Sequence, residues 1–238
     1  MRALTGELLL SAWDRGDAEH DVDRALTLLE LSTPELDREQ LAELSIAERD
    51  VLLLRLRAIT FGPVLSGYAN CSACGAPLEF TLPVAALLSR TQQRLPAASR
   101  EWTEDAQTFR LRPVNSNDLL ATLSAPDGTV AEELLVSRCL TLSEPRESPM
   151  LISPSMRGQF EQVNGGAEIV CALDCPGCSA HETLDFDIVR FLWTEVRRAA
   201  RRLLGEIHEL ACAYGWSEKA IVSMSPSRRS AYREMLNA

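Results

Sequence analysis

Histidine is scarce in this 238-residue chain. Only His20, His181 and His208 occur, far apart, and none belongs to a His-Glu-x-x-His pair. No nucleophile elbow and no phosphate-cradling glycine loop accompanies them, so no enzyme and no small-molecule substrate is expected. Long apolar runs are missing too: none approaches the roughly 18 residues a spanning helix needs, which removes the membrane as a partner. Positive charge is in short supply, and a net charge of −10 argues against general attraction to DNA or anionic membranes, since both require clustered cations. At the N-terminus Arg2 is the one basic residue and Glu7 interrupts what would be the apolar stretch of a secretory leader, so cytoplasmic synthesis is expected.

What is present suits a folded protein. Hydrophobic residues at 46% and charged residues at 24% exclude wholesale disorder and fibrous repeats. The length suffices to bury a core without disulfides. Seven cysteines is an odd number, and four of them sit in two Cys-x-x-Cys pairs, which favours a reducing compartment and metal ligation over a disulfide framework. Charge is uneven: residues 1–62 hold 7 basic and 13 acidic residues, a net of −6, whereas residues 185–238 hold 9 and 7, a net of +2. An acidic head and a slightly basic tail could engage different partners, or could be two solvated helical surfaces of different tint.

Local patterns predict an α+β chain, mainly helical, in which a split zinc ribbon is interrupted by a helical insert. Residues 1–62 form an N-terminal helical region, 63–90 the first half of the ribbon, 91–166 the insert, 167–189 the second half and 190–238 a C-terminal helical region. Thr33-Pro34 supplies a hydroxyl cap before a first-turn proline, and Ser45-Ile46-Ala47-Glu48 is a capping box. After that box Ile46, Leu52, Leu53, Leu56 and Ile59 recur at helical spacing with Arg49, Arg55 and Arg57 interleaved, predicting an amphipathic helix. Val64 to Asn70 and Leu78 to Leu82 predict strands flanking the first cysteine pair; Ala172-Leu173 and Leu184, Phe186, Ile188 do so for the second. The insert is expected to hold one strand, Thr108 to Pro113, helices over 117–123, 129–140 and 155–163, and a loop from Ser143 to Pro154. Asp187 to Tyr214 predicts one long helix ended by Gly215, with shorter helices after Ser217 and Ser225-Pro226.

The cysteines carry the strongest chemical signal. In a knuckle turn, thiolates two residues apart both face one ion, and two knuckles complete a closed tetrahedron. The first reads Cys71-Ser72-Ala73-Cys74-Gly75 and the second Cys175-Pro176-Gly177-Cys178, each at an expected hairpin tip. A gap of 100 residues separates them where about 15–20 is usual. A helical insertion explains that gap; two half-sites in different molecules is the alternative. Buried free thiols are the bland reading, and a thioredoxin-like motif is disfavoured because neither pair opens a helix. Zinc is the expected ion, iron fits the same ligands, and Cys171 and His181 lie close enough in sequence to substitute. Four thiolates leave no open position, so the metal would fold the protein and catalyse nothing.

Two further groups suggest surfaces. Arg190, Arg197, Arg198, Arg201 and Arg202 on the long helix invite a nucleic-acid reading, but sparse aromatics and the acidic total favour a solvated or protein-binding face. In the tail, Tyr214, Trp216 and Tyr232 with Arg228 and Arg229 are residue types enriched at binding hot spots. The other reading is that these aromatics pack the terminal helices onto the long one.

The run Ser45-Ile46-Ala47-Glu48-Arg49-Asp50-Val51-Leu52-Leu53-Leu54, then Phe61-Gly62 and Cys71-Ser72-Ala73-Cys74-Gly75, resembles the phage baseplate proteins of the T-even hub assembly chaperone type. Phe186-Asp187-Ile188, Phe191-Leu192-Trp193, Leu203 to His208, Ala213-Tyr214-Gly215-Trp216-Ser217-Glu218 and Ser225 to Arg229 are similar to that family's C-terminal region. The resemblance covers residues 45–80 and 170–236. It implies a non-enzymatic component of a contractile phage tail or a related injection system, with baseplate hub or tail proteins as partners. It leaves open a chaperone that departs and a subunit incorporated in the particle. The reading from another class is a zinc-ribbon nucleic-acid adaptor using the arginine helix.

Overall fold

A computed structural model describes residues 1–95, 99–104, 107–142 and 152–236. Of the expected loop from Ser143 to Pro154, residues 143–151 lie outside the described residues. The chain runs α1 (Glu7–Gly16), α2 (Asp21–Ser32), α3 (Arg38–Glu43) and α4 (Ile46–Phe61), then a hairpin of β1 (Val64–Asn70) and β2 (Pro77–Pro83) and helix α5 (Val84–Gln93). The insert holds β3 (Arg100–Glu104), β4 (Gln107–Leu111), α6 (Ser116–Thr122), α7 (Gly128–Cys139), β5 (Leu140–Leu142) and α8 (Pro154–Asn164). A second hairpin of β6 (Val170–Asp174) and β7 (His181–Asp185) leads into α9 (Ile188–Tyr214), α10 (Glu218–Val222) and α11 (Pro226–Leu236). Helix dominates and the sheets are small and antiparallel, in keeping with the expected α+β class.

Helix α9 is the axis of the main core. Its apolar stripe, including Ile188, Leu192, Val196, Leu203 and Leu210, recurs every three to four residues and is buried against α1, α2, α4, α10 and α11. Each such side chain contributes about 1.5–3 kcal/mol on burial. Gly16 of α1 is an adaptation to this packing, because a Cβ there would lie 2.6 Å from the Trp193 ring. Gly215 takes the left-handed conformation, φ 69°, and ends α9 as its sequence predicts. Residues from both ends of the chain therefore share one core.

Three expectations need correction. Thr33 closes α2 rather than opening a helix; α3 starts instead on Asp37, whose capping box with Gln40 satisfies two free amides. Helix α4 is not simply amphipathic: Arg49 and Arg57 are buried while Ile59 is half exposed, because α2, α5 and α9 surround it. Among its described residues the insert has three strands, not one, paired in the order β3-β4-β5 over a separate core of Phe109, Leu111, Val114, Cys139, Met156 and Val163.

Candidate metal centre

Each hairpin ends in the same turn. In the first, Cys71 N donates to Ala76 O at 2.9 Å and Gly75 N to Cys71 O at 2.9 Å; in the second, Cys175 N donates to Ala180 O at 2.9 Å and Ser179 N to Cys175 O at 2.8 Å. The fifth residue of each turn is left-handed: Gly75 at φ 74° and Ser179 at φ 59°, the one non-glycine described residue with positive φ. Glycine suits that position because it lacks the Cβ that crowds the carbonyl. Hairpin register places the turns, since Asn70 opposite Pro77 and Asp174 opposite His181 are the last pairs before the knuckles. Leu78 is buried beneath Cys71 and Cys175, with Ala76, Leu173 and Ala180 around them.

The turns bring Cys71, Cys74, Cys175 and Cys178 into one group whose Sγ atoms all lie within 4.8 Å of one another. Cys71 Sγ is 3.6 Å from Cys178 Sγ, and Cys74 Sγ is 3.6 Å from Cys175 Sγ. The first cysteine of each knuckle thus faces the second of the other, a pseudo-twofold arrangement. A disulfide needs sulfurs about 2.05 Å apart. Tetrahedral Zn–S bonds of about 2.3 Å place sulfurs about 3.8 Å apart, so the spacing fits four ligands of one ion. Cys71 and Cys175 are buried and Cys74 and Cys178 exposed, so the group sits at the surface with one side sealed.

Electrostatics sharpen this picture. The amide of Cys178, with that of Gly177, aims at Cys175 Sγ and draws its thiol down to about 7 against the opposing effect of burial. At Cys71 the Cys74 amide acts in the same sense, but burial and the Glu182 carboxylate outweigh it and push the thiol up to about 12. The first cysteines of the two knuckles are thus pushed in opposite directions by their surroundings; a bound metal ion would supply the charge that deprotonates coordinating thiols outright. Glu182 of β7 completes the surroundings. Its Oε1 accepts from Ser72 N and Ser72 Oγ, both at 2.9 Å, and from Cys71 Sγ at 3.2 Å, clamping the second hairpin to the first knuckle. Sequence reasoning missed it, and nothing marks a strand glutamate as a clamp before the hairpins are paired.

The other proposed ligands stay apart. Cys171 is buried in the main core, where burial raises its thiol above the ordinary range, and His181 is exposed beside Asp174 on the far side of its strand. Cys139 is buried in the insert core and Cys212 is exposed near His208 on α9. In the tail, Tyr214 stacks on Trp216 at 4.5 Å, and Tyr232 meets both edge-on at 5.7 and 4.8 Å, so the trio packs α11 against α9. Arg228 is exposed over the Tyr232 ring, whereas Arg229 is buried with its Nε 2.8 Å from Glu206. No described helix is long and apolar enough to cross a membrane. No family model, curated protein or solved structure matches the chain.

Proposed function

We propose that the chain is a non-enzymatic baseplate or hub assembly protein of a contractile phage tail or tail-like injection system, its two hairpins joined by one structural zinc ion. The observation that carries the metal reading is the convergence of four sulfurs from segments 100 residues apart into a group of tetrahedral spacing. Residues 71, 74, 175 and 178 would hold the ion, which supplies a closed cross-link and no reactive position. Iron is the other ion this ligand set accepts. Closing a loop of about 100 residues restricts the unfolded chain by on the order of 4–5 kcal/mol on the loop-entropy scale. The result is a helical body and an insert fixed to one another at the ribbon, a scaffold for holding other proteins.

The assembly role is supported by the resemblance of residues 45–80 and 170–236 to the hub assembly family. Affinity purification of the tagged chain from producing cells, with mass spectrometry of the soluble pool and of purified particles, tests it. Tail or hub proteins recovered at defined stoichiometry are expected, and their absence from both pools would contradict the role. One observation favours a nucleic-acid adaptor instead, the exposed arginines of α9, and salt-dependent retention on DNA is its signature.

A further inference from the structure

Most arginines elsewhere in the fold are neutralised: Arg24 by Asp21, Arg57 by Glu195, Arg112 and Arg138 by Asp118, and Arg229 by Glu206. Four on α9 stand apart. Arg197, Arg198, Arg201 and Arg202 are all exposed, and none forms an ion pair with a described residue. The glutamates of α9 that could screen them are drawn to other elements: Glu195 to Arg57 on α4, and Glu206 and Glu209 to Arg229 and Arg233 on α11. At 100° per residue the four guanidinium groups span about 140° of the helix surface. Gly205 falls on the same face one turn later. A glycine weakens a helix interior relative to alanine, and this one has no internal reason to be there, since a Cβ at Gly205 would meet nothing within 4 Å.

We propose that this face docks an acidic helical segment of a partner protein. The proposal rests on the protein-docking reading above and names its surface. Charge complementarity selects an acidic occupant, and the bare backbone at Gly205 lets a second helix approach closely, since interaxial distance is set by the side chains at the crossing. A nucleic acid fits less well. The aromatic residues of α9, Phe191, Trp193 and Tyr214, are turned into the packing, which leaves no platform on which bases could stack. The net charge of −10 opposes a long polyanion, whereas a short acidic segment meets the patch within a screening length.

Two fluorescent probes test this on the metal-replete full chain: an amphipathic helical peptide bearing glutamates on one face, and a duplex DNA of similar length. The peptide is expected to bind, to weaken as salt rises, and to lose at least about tenfold in affinity on R198E/R202E, while R198K/R202K keeps most of it. Gly205→Leu should weaken binding several-fold with charge unchanged. Because these side chains are exposed, metal content and melting temperature should match wild type; if R198E/R202E fails to fold, R198Q/R202Q replaces it. Absence of peptide binding, indifference to the substitutions, or tighter binding of the DNA overturns the proposal. In producing cells, undiminished co-purification of tail proteins with R198E/R202E would sink this surface while leaving the docking reading intact; absence of those proteins with wild type would sink the docking reading itself.

Discussion

Cys74 and Cys178 are exposed, yet each supplies one corner of the sulfur group. Cys74→Ser or Cys178→Ser should therefore abolish tight metal binding and lower the melting temperature, which elemental analysis and calorimetry would register together; a serine variant with full metal and unchanged melting would exclude that sulfur as a ligand. Glu182 acts one step further out. Glu182→Ala removes the acceptor shared by Ser72 N and Oγ, and metal transfer to a coloured chelator should quicken by about tenfold, the usual effect of losing an outer-shell partner. The four cysteines were legible because two residue pairs at hairpin tips have few other uses. Glu182 was not, because its role exists only once β7 lies beside a turn 110 residues earlier.

Among the elements, Arg57 of α4 ties the start of the first hairpin to the long helix. Arg57 is bidentate to Glu195 of α9 at 2.9 and 2.8 Å and also donates to Gly62 O and Val64 O, fixing the end of α4 and the start of β1 to the long helix. Breaking a buried pair strands the remaining charge, so Arg57→Ala should destabilise by about 3 kcal/mol, measurable by urea unfolding. In the same helix, burial pushes the Asp50 carboxyl up to about 6, with Arg49 opposing the shift and Asp187 adding to it. A carboxyl raised in the folded state contributes stability that is fully present below its unfolded value near 3.8 and is lost as pH rises through about 6. Wild type should thus lose on the order of 2–3 kcal/mol relative to Asp50→Asn between pH 4 and pH 7, and a pH-independent difference would contradict the assignment. Helix starts marked by Ser45, Ser217 and the Gly215 stop were readable from local chemistry. The burial of Arg49 and Arg57 was not, because helical spacing does not show how many sides of α4 are covered. Strands β3 and β5 escaped as well, being five and three residues long and defined by pairing with β4.

At the scale of the whole molecule, the sequence division into head, ribbon halves, insert and tail describes segments, whereas the fold joins residues from both ends around α9 in one core. No local pattern carries that information, since it lies in contacts between helices more than a hundred residues apart. A metal ion held by the four cysteines would add a closure of the same long range: if it holds a loop of about 100 residues at roughly 4 kcal/mol, stripping it should lower the melting temperature by on the order of 10 °C. The most direct test of the account is elemental analysis of protein purified without chelator, combined with thiol titration of the native chain. One zinc, or one iron, per chain is predicted, with Cys212 reacting freely and Cys71, Cys74, Cys175 and Cys178 protected until the metal is removed. Protein that contained neither metal, with those four thiols reacting as freely as Cys212, would contradict it.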